Sequence, residues 1–234
     1  MLVLVTRPRE QAAATARELE TRGHQVLIDP VLEIRPLPCP VLPADLPAAV
    51  AVTSVNAVPA LAWVDPAIPV FAVGAATAAA ALAAGRQEVH IAAGDGLALA
   101  RTIAGRIAPQ AGAILHLAGA DVRTGLEAAL VAAGYVYRRA TVYEAWPVGR
   151  LAPAVEAALR ERRLGAVLFY SPRSAALWAE MIAGLELADR LAGTLAVCLS
   201  EAVAEPLVRL PFRERRIAPA RDQKALLGCL DGTN

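Results

Sequence analysis

The chain has 234 residues, room for one large or two small domains at roughly 100–200 residues each, and its net charge of +1 carries no nucleic-acid footprint. Apolar residues make up 56% and aromatic residues only 4%, so Ala, Leu and Val must fill the interior. Cys39, Cys198 and Cys229 have no metal or redox spacing and fit a reducing cytoplasm, while Lys224, the only lysine, leaves Schiff-base chemistry a single candidate in a helical context.

Short apolar runs predict strands at Leu2–Val5, Gln25–Ile28, Ala49–Val52, Val70–Val73, Val89–Ile91, Ile114–Leu117, Val136–Arg138, Ala166–Tyr170, Leu195–Leu199 and Arg216–Ile217. Between them, helical patterns cover Glu10–Arg22, Ala57–Val64, Ala76–Ala84, Leu97–Ile107, Arg123–Ala133, Ala152–Arg163, Ser174–Ala183, Glu201–Arg209 and Gln223–Leu230. Apolar strands alternating with helices predict parallel sheets covered on both faces. Leu2–Val5 is too short for the core of an export signal, and Arg7 and Arg9 follow it instead of preceding it. The uncharged stretch Pro66–Gly85 approaches a membrane's thickness, but Pro69 and Gly74 interrupt it, and it reads as a buried strand turning into a helix. Prolines cluster at Pro36, Pro38, Pro40, Pro43 and Pro47, with a second break at Ala145–Pro153. Both are candidate hinges.

The chain also repeats itself. An offset of 111 aligns Leu19 with Leu130, Gly23 with Gly134 and Glu33 with Glu144. Val50–Ala57 resembles Val167–Ser174, and an offset of 126 brings Val73–Ala78 onto Leu199–Ala204 and Ile91 onto Ile217. Two similar α/β halves imply a cleft. The sequence leaves open whether neighbouring segments pair or the outer ones fold around an inserted middle.

No strong catalytic signature appears: there is no G-x-S-x-G, no P-loop and no complete G-x-G-x-x-G. His24, His90 and His116 lack ligand spacing, so no metal site is expected, and His116 reads first as a satisfied histidine ending a strand. Gly94-Asp95-Gly96 reads as a turn opening a helix. What remains is a set of strand-to-helix junctions: Thr6-Arg7, Thr53-Ser54, Gly74 with Thr77, Gly119 with Arg123, Ser171 with Arg173, and Ser200. In parallel α/β sheets such junctions lie where ligands bind, and free amides at helix starts attract anions. Plain N-capping is the competing role for each hydroxyl. Taken together, the six suit a ligand with many carboxylates.

Val5-Thr6-Arg7-Pro8, Gln11, Gly23, Pro30, Thr53–Ala57, Phe71–Ala78, Gly134, Thr141–Glu144 and Ser171–Ala175, in this order over nearly the whole chain, resemble the uroporphyrinogen-III synthases. The resemblance implies two flavodoxin-like parallel-sheet domains joined by a two-stranded linker. Residues 1–35 and 149–234 would form a discontinuous first domain and 38–139 an inserted second one, with linker strands at 32–37 and 140–146. It implies cyclisation of hydroxymethylbilane to uroporphyrinogen III, in which the terminal hydroxyl leaves as water to give an azafulvene. Attack by the substituted carbon of ring D then gives a spiro intermediate, which fragments and recloses with that ring inverted. No cofactor is implied, and the protein is expected to be a cytoplasmic monomer without nucleic-acid or membrane partners.

The same resemblance places Tyr143 at the family's cleft tyrosine, as proton donor to, or orienting group for, the departing hydroxyl; a phenol keeps its proton at neutral pH. Thr6, Thr53, Ser54, Gly74, Thr77, Gly119, Ser171 and Ser200 would bind substrate, mostly through backbone amides, and Arg7, Arg123 and Arg173 would pair with carboxylates. The chain departs from the family pattern at Ala118-Gly119, where many members have Arg-Gly. It departs again at Ser200–Val203, which lacks the threonine of a Gly-x-x-Thr pattern, and at Ala220-Arg221-Asp222. These departures predict weaker carboxylate binding on the first-domain side. They also motivate an alternative, a non-catalytic tetrapyrrole- or anion-binding homologue; a two-lobed solute-binding protein is a third reading.

Overall fold

A computed structural model describes residues 1–38, 45–121 and 125–231. They fall into two compact units, Met1–Glu33 with Trp146–Asn234, and Ile34–Ala145.

The first unit is built on β1 (Leu2–Val5), β2 (Gln25–Ile28), β9 (Leu164–Phe169), β10 (Leu195–Cys198) and β11 (Glu214–Ile217), all parallel, in the order β11-β10-β9-β1-β2. Five helices, α1 (Arg9–Thr21), α5 (Pro153–Arg160), α6 (Pro172–Gly184), α7 (Glu201–Ala204) and α8 (Gln223–Gly228), serve the same unit. Val3–Val5, Ala166–Phe169 and Leu195–Cys198 are buried throughout, because helices cover both faces of a sheet whose central strands carry no polar side. Phe169, Trp178 and Phe212 pack edge-on and stacked on one face, and Thr194 Oγ1 donates to Leu164 O at 2.8 Å.

The second unit holds β4 (Ala49–Val52), β5 (Val70–Val73), β6 (Val89–Ala92), β7 (Ile114–Gly119) and β8 (Tyr137–Pro147), parallel, with α2 (Gly74–Ala83), α3 (Gly96–Ala104) and α4 (Leu126–Ala132). β3 (Leu32–Pro36) adds an antiparallel edge beside β8: Leu37 N–H donates to Val142 O, and Val148 N–H donates to Val31 O. The sheet order is β3-β8-β7-β4-β5-β6.

The repeat maps these strands one to one. β1 corresponds to β7, β2 to β8, β9 to β4, β10 to β5 and β11 to β6, so β2-β1-β9-β10-β11 and β8-β7-β4-β5-β6 are the same flavodoxin-type order. The second unit is a circular permutation of the first. Gly23 and Gly134, equivalent in the repeat, follow α1 and α4 with φ of +78° and +84°.

Several elements differ from the sequence expectation. Val136–Arg138 and the linker strand 140–146 are one continuous strand, β8, since no breaker separates them. The segment expected as a helix at Ala57–Val64 is a 3-10 helix, Val55–Trp63, with Pro59 inside it, where proline removes an α-helical donor. Ala152–Arg163 stops at Arg160, and Arg162 turns to φ +55° before β9 begins. Glu201–Arg209 gives only four α-helical residues, then a 3-10 turn at Glu205–Leu207, because Pro206 cannot continue the helix. Leu97–Ile107 ends at Ala104, before Gly105. Part of the expected helix 123–133, together with Arg123, Cys39, Pro40 and Pro43, lies outside the described residues.

Arg86 holds the end of the 3-10 helix in place. The residue is 6% exposed, and its guanidinium donates to the carbonyls of Leu61, Val64, Asp65 and Ile68 at 2.6–3.5 Å. Burial keeps its pKa below the usual arginine value. Arg86→Met removes the donors and strands the carbonyls; the expected loss is about 3 kcal/mol, read as a lower midpoint in urea unfolding.

Candidate functional site

In a sheet of this order the chain leaves in opposite directions from two adjacent strands, and ligands bind beyond their carboxyl ends. The switch points are β1/β9 in the first unit and β7/β4 in the second.

Beyond β1 and β9 stand Thr6, Arg7, Ser171 and Arg173. Thr6 is 1% exposed, and its hydroxyl donates to Leu168 O at 2.7 Å, joining the two strands. Its side chain is therefore used within the fold. Ser171 caps α6: its Oγ accepts from Ser174 N–H and donates to Ser174 Oγ. Arg7 is already engaged. It donates to Gln11 Oε1 at 2.8 and 3.3 Å and to Gln223 Oε1 at 3.2 Å, and it lies 4.3 Å over the Tyr170 ring. Gln223 passes the network on to Glu18 Oε2 at 2.6 Å and accepts from Thr15. Tyr170, whose phenol burial pushes up, closes this shelf just after β9. Arg173 is exposed in the first turn of α6. Ser200, beyond β10, precedes the four-residue α7 with extended backbone and makes no side-chain cap bond.

In the second unit, Thr53 and Ser54 follow β4. Ser54 Oγ accepts from Asn56 N–H, while Thr53 Oγ1 lies 3.2 Å from His116 Nε2. Gly74 opens α2 with φ +77°, and a Cβ there would meet nothing within 4 Å. The backbone, not crowding, selects glycine here, and the space beside it is open. Gly74→Ala is expected to cost about 1 kcal/mol in stability and to raise KM, because its methyl enters that open space. Thermal unfolding and steady-state kinetics on one preparation separate the two effects. Thr77 is buried on α2.

Gly119 and Tyr143 form one unit of structure. Register shifts between Ala118 and Gly119: Ala118 faces Thr141, but Gly119 faces Tyr143. The irregularity skips Val142, so Val142 and Tyr143 both pack on the cluster containing Val52, Ala57 and Leu117. A bulge re-aims a side chain in this way. The Tyr143 ring then lies over the Gly119 backbone, where a Cβ would come within 2.6 Å of Cζ and 2.9 Å of the phenol oxygen. Ala120 N–H donates to Tyr143 O at 2.9 Å and holds the strand beneath the ring.

Sequence reasoning missed two features. His116 is a mid-strand residue, because β7 runs on to Gly119, and it is fully buried with both ring nitrogens partnered. Asp29, buried after β2, accepts from Ala152 N–H at 2.9 Å and holds the start of α5; burial raises its carboxyl pKa. Its position at a strand end before Pro30 was the available signal. Asp95 and Asp222 cap α3 and α8, the first as the Gly94-Asp95-Gly96 turn predicts. Val203 and Ala118, the two departures from the family pattern at these junctions, are each 2% exposed. A cavity of about 520 Å³ in the first unit is lined by Leu151, Leu177, Met181 and Leu185 with Arg150 and Glu180, and none of the candidate residues borders it.

Among the described residues no cluster of three or more His, Cys, Asp or Glu is placed to hold a metal ion, and no helix is long and apolar enough to cross a membrane. Two doubly wound units, one inserted in the other and permuted relative to it, with small polar residues at both switch points, define a tandem flavodoxin-type α/β protein. The chain belongs to the uroporphyrinogen-III synthase HemD family, whose sequence pattern matches residues 13–228. Members are cyclising lyases of tetrapyrrole biosynthesis. Among solved structures, uroporphyrinogen-III synthetase from Helicobacter pylori is 20% identical, with 88% of this chain and 92% of that one covered at a TM-score of 0.63. A mutant uroporphyrinogen III synthase from Thermus thermophilus is 19% identical, with 99% and 98% covered at a TM-score of 0.53. At these identities the likeness speaks for the fold. No curated protein sequence matches the chain.

Proposed function

We propose that the chain closes hydroxymethylbilane to uroporphyrinogen III, with loss of water and inversion of ring D. Family membership over residues 13–228 is the observation that carries this reading. The substrate is a flexible polycarboxylate that also cyclises unaided without inversion. The protein's main task is therefore to hold one folded conformation long enough for ring D to react at its substituted carbon. Backbone amides at Ser54, Gly74, Thr77, Ser171 and Ser200, with Thr53 and exposed Arg173, suit carboxylates without a dense basic patch. Arg7 stiffens the first unit's loop in this reading, since its donors already serve Gln11 and Gln223. Tyr143 donates its phenolic proton to the hydroxyl that departs as water, and Gly119 seats its ring. The protein acts as a cytoplasmic monomer and draws on no cofactor.

The test is direct. Purified protein given freshly prepared hydroxymethylbilane yields the type III isomer, separated from type I after oxidation to the porphyrin. Type I alone, at the rate seen without protein, rejects the reading. Tight binding of the bilane without inversion would favour the non-catalytic homologue.

A further inference from the structure

A buried polar chain crosses three strands of the second unit. Tyr137 on β8 places its phenol oxygen 2.7 Å from His116 Nδ1 on β7, and His116 Nε2 lies 3.2 Å from Thr53 Oγ1, just past β4. His116 is opposite Ala51 in register, so Thr53, two residues on, emerges on the same face of the sheet. The chain ends at the β7/β4 switch point, where Thr53 is only part-buried. We infer that Tyr137 and His116 are positioning residues that fix the Thr53 hydroxyl as a hydrogen-bond donor towards a substrate carboxylate. This rests on the reading that Thr53 meets such a carboxylate.

The direction of the chain follows from proton chemistry. A neutral imidazole has one N–H and one lone pair, so its two partners must play opposite roles. Burial, helped by the nearby Arg139 charge, pushes the His116 pKa down to about 4, and burial pushes the Tyr137 phenol up to about 12. Both groups therefore stay neutral. A phenol O–H is a stronger proton donor than an imidazole N–H, and an imidazole nitrogen is a stronger acceptor than a phenol oxygen. Tyr137 thus donates to Nδ1, the ring proton sits on Nε2, and Nε2–H donates to Thr53 Oγ1. Among the described residues the Thr53 hydrogen meets no further acceptor, and it turns outward. The opposite order would direct that hydrogen onto Nε2 and leave only lone pairs facing outward, which repel an anion. Each donor polarises the next, strengthening the last one.

Two measurements on the full chain test the inference. Long-range proton–nitrogen correlation of the histidine rings is expected to show His116 as the Nε2–H tautomer. Tyr137→Phe is expected to give a tautomer mixture, since no donor then fixes Nδ1. An Nδ1–H tautomer in the unsubstituted protein overturns the inference. With hydroxymethylbilane, Thr53→Val is expected to raise KM about tenfold and Thr53→Ser to restore it. Tyr137→Phe is expected to raise KM about fivefold while kcat moves less than about twofold, and to add nothing in the Thr53→Val background. Equal losses in kcat, or additive increases in KM, overturn it. Failure of the isomer assay would sink the synthase reading, while the tautomer measurement would still decide the direction of the chain.

Discussion

Tyr143→Phe is expected to lower kcat for type III formation by about 10² while leaving KM and the thermal midpoint close to their original values. The substitution removes one oxygen. The ring keeps its packing on the cluster around Val52, Ala57 and Leu117, so the fold loses little. What disappears is a proton donor to the departing hydroxyl, and general acids of this kind are typically worth 10²–10⁴ in rate. Because the bilane also cyclises spontaneously, the variant should release a larger share of type I, and the isomer ratio reports the defect independently of protein concentration. A variant with undiminished kcat would remove Tyr143 from the chemistry.

The second large effect is expected at Gly119. An alanine methyl would stand 2.6 Å from Tyr143 Cζ and 2.8 Å from Cε2, closer than real Cβ contacts come. The backbone cannot yield easily, because Ala120 N–H is bonded to Tyr143 O and the strands are paired on both sides of the bulge. The ring must therefore swing away. A displacement of about 1 Å at a reacting group costs on the order of 10² in rate, so Gly119→Ala should resemble Tyr143→Phe in kcat. The double variant separates seating from general damage. If Gly119 acts by holding the phenol in place, adding Gly119→Ala to Tyr143→Phe costs little more in kcat. Full multiplication of the two losses would assign Gly119 a separate role.

The alternation of apolar runs and helical patterns located each parallel strand among the described residues, because buried strands in a covered sheet have a distinctive composition. The internal repeat carried more than expected: it maps each strand of one unit onto its counterpart and explains the permuted order. Where the sequence misled, a local breaker was underweighted, as with Pro59 in the 3-10 helix and Pro206 after α7. Candidate hydroxyls were legible as a class but not by use. Ser54 and Ser171 cap helices, Thr6 joins strands, and Thr53 ends a hydrogen-bonded chain; all four are small polar residues after an apolar run. Arg7 likewise reads as a ligand-facing cation, yet its donors serve Gln11, one helical turn on, and Gln223, from the far end of the chain. The seat of Tyr143 was illegible for a related reason. It depends on a register shift between two strands, and register is a property of pairing that no single segment records.

The permuted order has a consequence for biosynthesis. The strands of the second unit's sheet, β3 to β8, leave the ribosome in one continuous run, whereas the first unit's β1 and β2 emerge first and must wait for β9, β10 and β11. Domains form as units during translation, so Ile34–Ala145 is complete while the amino-terminal β-α-β element still lacks its central neighbour. The nascent β1, apolar along its length, is open on the side that β9 later fills. That interval leaves an unpaired apolar edge open to aggregation, and substitutions that slow maturation of the inserted unit should lengthen it.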